Sequence, residues 1–67
     1  MAVVKVIEIL AESKMGWEAA TQEAVAEAAK TVRDIRTVYI ENMQAIVEND
    51  KIVNYRVNVK ISFVVKG

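Results

Sequence analysis

Ile52-Val53-Asn54-Tyr55-Arg56-Val57-Asn58-Val59-Lys60-Ile61-Ser62-Phe63-Val64-Val65 is the stretch that decides the fold. Val53, Tyr55, Val57, Val59, Ile61, Phe63 and Val65 share one parity, and Asn54, Arg56, Asn58, Lys60 and Ser62 share the other. A period of two sustained this long predicts a strand with one buried face and one wet face, longer than most strands. At about 3.3 Å per residue it reaches roughly 40 Å. The one convincing helical pattern, Trp17 to about Ile35, reaches only roughly 28 Å at about 1.5 Å per residue. One helix cannot shelter all of that apolar parity, so the remainder is expected to be buried against other copies of the chain.

Size and composition support the same expectation. A chain of 67 residues buries only about 60% of the surface its unfolded form exposes, and such a core rarely supplies more than about 3–5 kcal/mol. With no cysteine and no histidine, disulfides and cysteine-bound metals are excluded as staples. Hydrophobic residues make up 54% of the chain, more than a solitary domain of this size needs. Nine basic residues are scattered among nine acidic ones, and no stripe tracks a phosphate backbone, so nucleic acid is not expected as a partner. Met1 to Leu10 is apolar but carries Lys5 and Glu8 and lacks a small-residue cleavage site. It is also far too short to cross a bilayer, so it reads as a strand of a cytoplasmic protein without membrane partners. Residues 1–67 contain no proline, linker or repeat and read as a single domain.

Val3 to Leu10 is apolar on both parities except at Lys5 and Glu8, which predicts a first strand buried on two sides. Gly16 stands at the expected helix N-cap with Glu18 in the first turn, and Ser13 offers an earlier cap. Ala20, Ala24 and Ala28 recur at four-residue spacing, an alanine ridge that lets a sheet approach closely, while Glu23, Glu27, Lys30 and Arg33 fit a solvated face. The second strand is expected from about Arg36 to Val47. A tight hairpin follows at 48–51, where Asn49 and Asp50 tolerate positive φ. The element order is β-α-β-β, and the unbroken parity of the third strand suits a central place. The fold class is therefore α+β: a three-stranded antiparallel sheet in the order 1-3-2 with the helix across one face.

The chemistry-bearing residues are few. Trp17 either anchors packing or stacks on a ligand. Arg56, expected near Thr37 across the hairpin, either binds an anion or pairs with Glu41. Tyr39 and Tyr55 read as sheet packing. With no histidine, no cysteine, no Gly-rich phosphate loop and no serine beside a base, an enzyme is not expected.

Lys5-Val6-Ile7-Glu8-Ile9, Ser13-Lys14-Met15-Gly16-Trp17-Glu18-Ala19-Ala20, the run from Glu23 to Arg36, and Tyr55-Arg56-Val57-Asn58-Val59-Lys60-Ile61-Ser62-Phe63 resemble the dodecin family in order and spacing across nearly the whole chain. The resemblance implies a subunit whose sheet partly wraps its helix, assembled into a hollow homododecamer. Flavin-binding members hold riboflavin or FMN at subunit interfaces, stacked on a tryptophan early in strand two and hydrogen-bonded by a glutamine in strand three. Those places hold Thr37 and Arg56 here, which lack the π-face and the acceptor, so flavin binding is expected to be weakened or absent. The chain looks closer to the calcium-binding branch, with which it shares the Trp-Glu helix start and the Asp-Ile-Arg helix end. Calcium needs about six to eight oxygen ligands. Glu8, Glu12, Glu41, Glu48 and Asp50 are the carboxylates outside the helix, and they form a site only where symmetry gathers copies. Glu8 and Glu41 are the metal candidates; Thr37, Arg56 and Trp17 are the ligand candidates. The implied function is storage or binding of a small ligand at subunit interfaces. A structural or protein-interaction module is the alternative.

Overall fold

The computed structural model describes residues 3–66. Met1 and Ala2, at the start of the expected first strand, and Gly67, at the end of the expected domain, lie outside the described residues. The elements are β1 (Val3–Ser13), α1 (Trp17–Ala28), β2 (Ile35–Glu48) and β3 (Lys51–Val65). β3 lies between β1 and β2 and runs antiparallel to both, so the 1-3-2 order expected from its unbroken parity is the order observed.

The register explains where the core sits. Ile7, Ile9 and Ala11 of β1 face Ile61, Val59 and Val57 of β3, and Val38, Ile40 and Met43 of β2 face the same three residues from the other side. Cross-strand partners project to one face of a sheet, so this side is aliphatic across three strands. The helix lays Ala20, Ala24 and Ala28 on it, and these alanines with Val57, Val59 and Ile61 are fully buried. Residues four apart stack on one helix face, and methyl side chains keep the helix axis close to the strands. The helix lies chiefly over β1 and β3 and scarcely reaches β2.

The helix is shorter than its apolar pattern predicts: it ends at Ala28, not near Ile35. Past the last ridge alanine, the Lys30 and Thr31 N–H groups donate to the Glu27 and Ala28 carbonyls at 3.2 and 3.1 Å, tightening the backbone into three-residue turns. Thr31 and Val32 are β-branched and disfavour helix. Asp34 then takes φ 60°, and its carbonyl accepts the Val64 N–H, which pins the start of β2 to the end of β3. At the other end Gly16, at φ 131°, occupies the N-cap, and its carbonyl accepts the Ala20 N–H at 3.0 Å. Ser13 does not cap the helix; its Oγ accepts the Met15 N–H at 3.0 Å within the turn.

β1 also differs from expectation. It continues to Ser13 because Glu12 and Ser13 still pair with Arg56 and Tyr55. Its second side is not buried within the protomer, where Val4, Val6 and Leu10 are 56%, 56% and 61% exposed. β1 ends opposite Tyr55, so β2 and β3 continue alone as a two-stranded arm out to the hairpin, where Asn49 and Asp50 adopt the expected positive φ of 51° and 63°.

Two outcomes follow for urea unfolding at fixed protomer concentration. Asp50→Gly raises stability by about 1 kcal/mol, because glycine takes the left-handed conformation without the Cβ clash. Ala24→Leu lowers it by about 1–3 kcal/mol, because the helix can no longer approach β3.

Candidate functional site

The sheet has two unlike faces, and the sequence-predicted residues divide between them. On the helix-free face, polar side chains form linked pairs that cross the strands. Arg56 donates through Nε to Glu12 Oε2 at 2.7 Å and through Nη1 to Gln44 Oε1 at 3.4 Å, joining β3 to β1 and to β2. Asn54 donates to the other Glu12 oxygen at 2.8 Å. Lys60 Nζ lies 3.0 Å from Glu41 Oε1, and Glu8 stands opposite Lys60 in the β1–β3 register. Thr37 and Ser62 share a hydroxyl–hydroxyl hydrogen bond.

Glu41 reaches Lys60 because of a bulge. The β2–β3 register shifts between Ile40 and Asn42, which sets Glu41 as the extra residue and aims it at β3. Its hydrogen bond and its charge hold the Lys60 ammonium above its ordinary 10.5, with Glu8 adding to the effect and desolvation opposing it. The pairing thus differs from the expected Arg56–Glu41 contact: Arg56 takes Glu12, and Glu41 takes Lys60. Nor is Arg56 near Thr37. Thr37 pairs with Ser62, six residues along β3 from Arg56, or roughly 20 Å at about 3.3 Å per residue.

Trp17 lies on the opposite face. Its ring meets Tyr55 edge-on at 5.0 Å between centroids, and its Nε1–H donates to the Gln44 carbonyl at 2.9 Å. These contacts fasten the helix N-terminus to β2 and β3 and satisfy the indole N–H. Beside Trp17, where the helix leaves β2 uncovered, runs an open groove of about 640 Å³ whose walls include Met15, Val25, Val38, Ile40 and Met43. Sequence reasoning passed over this groove, although Ile40 and Met43 carry its signal as apolar β2 residues facing β3 partners that the helix covers.

One protomer therefore supplies two surfaces in place of one pocket. Calcium does not fit the helix-free face of a lone protomer: Lys60 stands between the two candidate carboxylates, and no group of three or more carboxylates converges among the described residues. A stacked flavin finds no aromatic face at Thr37, and Arg56 is already committed to Glu12 and Gln44. No helix among the described residues is long and apolar enough to cross a membrane.

The Lys60 pairing has a pH signature. A raised folded-state pKa means that the ion pair contributes in full below the ordinary 10.5 and is lost only as pH climbs through the raised value. In a carbon-detected NMR titration, the Lys60 ammonium deprotonates above its ordinary 10.5, and Glu41→Gln returns it toward that value.

Comparison with known proteins agrees with this architecture. The family model described as Dodecin matches residues 3–66. Calcium dodecin of Mycobacterium tuberculosis (strain ATCC 25618 / H37Rv) is 36% identical over 63 residues, covering 94% of this chain and 89% of that protein. The crystal structure of calcium dodecin from Mycobacterium tuberculosis, described as a calcium-chelating immunodominant antigen with a novel calcium-binding site, superposes with a TM-score of 0.82 at 34% identity over 96% of this chain and 91% of that one. A point mutant of dodecin from T. thermophilus superposes with a TM-score of 0.93 at 27% identity over 100% of both chains. The β-α-β-β order, the central third strand and the matched length together place the chain in the dodecin family.

Proposed function

We propose that this protein is a non-enzymatic homo-oligomer, a hollow dodecamer in the cytoplasm, that binds or stores a small ligand at its subunit interfaces. One observation carries the reading: Val4, Val6, Leu10, Met15, Met43, Val47 and Ile52 each expose more than half of their surface, on both sides of one small sheet. Monomeric proteins rarely leave that much apolar surface in connected patches. Association removes it from water and juxtaposes the polar pairs of neighbouring copies.

The ligand follows from what those pairs offer. Thr37 and Arg56 provide neither ring stacking nor a free acceptor, so flavins bind weakly or not at all. Hard cations suit the helix-free face better once several copies contribute Glu8 and Glu41, because convergence of copies supplies the oxygens that one protomer lacks. The calcium-binding relative supports this choice. The bare outer edge of β1 favours a second reading, a protein-interaction module that adds a client strand to that edge.

Native mass spectrometry of the purified protein, with and without added calcium, separates the readings. A single large mass that gains calcium ions supports the cage, whereas monomers that enlarge only with a client support the module. Adding riboflavin or FMN at micromolar concentration leaves flavin fluorescence nearly unchanged; strong quenching contradicts the assignment at Thr37 and Arg56.

A further inference from the structure

Lys60 stands on the central strand of the helix-free face, flanked by a carboxylate on each neighbouring strand. Glu8 of β1 is its cross-strand partner, and the bulge in β2 brings Glu41 Oε1 to 3.0 Å from its Nζ. Glu8 has no ion pair of its own among the described residues. One ammonium therefore stands between two carboxylates. The contact is open to water, with 43% of the Lys60 side chain and 35% of the Glu41 side chain exposed, so an ion from solvent has a route to it.

We propose that Lys60 is a tethered cation that holds the place of a metal ion between Glu8 and Glu41, and so sets how strongly this face competes for calcium. The inference rests on the cation reading given above and names the residue that controls it. An ammonium has three donors and no acceptor, so it draws carboxylate oxygens as a metal ion does. Its stem fixes it to β3. A group on a short flexible linker is present at an effective concentration in roughly the millimolar range, and a free ion below that level starts at a disadvantage. Calcium brings a second charge but needs about six to eight oxygens at about 2.3–2.6 Å, so it displaces the ammonium only where neighbouring copies add oxygens of their own. Lys60 is displaceable in a way that Arg56 is not. Arg56 engages Glu12 through Nε and Nη2 and Gln44 through Nη1, and Asn54 takes the other Glu12 oxygen, so that cluster is closed on itself. A lysine is a flexible point charge without a fixed fork, and rotation into solvent releases Glu41.

Isothermal titration of the full-length protein with calcium chloride tests this. Lys60→Met removes the charge and adds no oxygen; it binds calcium at least tenfold more tightly than wild type, and adding Glu41→Gln abolishes the gain. Lys60→Gln repeats the comparison with a polar side chain, should the methionine variant not fold. Lys51→Met changes the net charge by the same amount nine residues along β3, roughly 30 Å away at about 3.3 Å per residue and beyond the Debye length of about 10 Å at 0.1 M salt; it leaves the affinity at the wild-type value. Wild-type protein that binds calcium as tightly as Lys60→Met overturns the inference and leaves the cation reading standing, and so does a gain that Lys51→Met reproduces. Calcium taken up by Lys60→Met and not by wild type supports the inference and removes calcium as the wild-type ligand. Protein that takes up calcium in neither form overturns both.

Discussion

The constraint on which the rest of the structure depends is the contact between three alanines and three aliphatic residues. Ala20, Ala24 and Ala28 seat on Val57, Val59 and Ile61, and these six residues are the buried core of the described chain. Everything else is arranged around how short that contact is. The helix covers the middle of β3 and stops at Ala28, while β3 runs on to Lys51 in one direction and Val65 in the other. A protomer 51 Å long and 13 Å thin results, with more apolar surface than its one helix can cover. A core of six small and medium side chains stabilises a lone chain only weakly. Association is thus the natural continuation of folding in this family member.

The two faces of the sheet divide the remaining tasks. On the helix side, the groove is lined largely by apolar side chains and calls for a covering surface. On the helix-free side, the sequence spends its charges on cross-strand pairs: Glu12 with Arg56, and Glu41 with Lys60. These pairs are partly exposed, and each contributes little to stability. Their larger consequence is chemical, because they determine which groups remain free for a ligand. Arg56 is bonded to Glu12 and Gln44, and Lys60 is paired with Glu41 and stands opposite Glu8. Among the described residues of one protomer, no three carboxylates converge on a common point.

Much of this was legible in the residues. The parity of 52–65 placed β3 at the centre, the alanine spacing identified the helix face, and Asn49-Asp50 marked the hairpin. The helix end was not legible, because Val32 and Ile35 continue the apolar period while Asp34 and its tie to Val64 interrupt the backbone. The pairing partners were missed for a related reason. The bulge at Glu41 aims that side chain at Lys60, while Arg56 stands opposite Gln44, three residues further along β2, and within reach of Glu12 on β1. The groove escaped notice because Ile40 and Met43 read as covered core until the helix is seen to pack over β1 and β3 and to stop short of β2.

The central claim is that the protomer completes its hydrophobic interior only by self-association. Sedimentation equilibrium over a dilution series measures this most directly. The result predicted is an assembly of fixed mass that, on dilution, dissociates together with loss of secondary structure. A monomer that persists at micromolar concentration with its helix and sheet intact would contradict it.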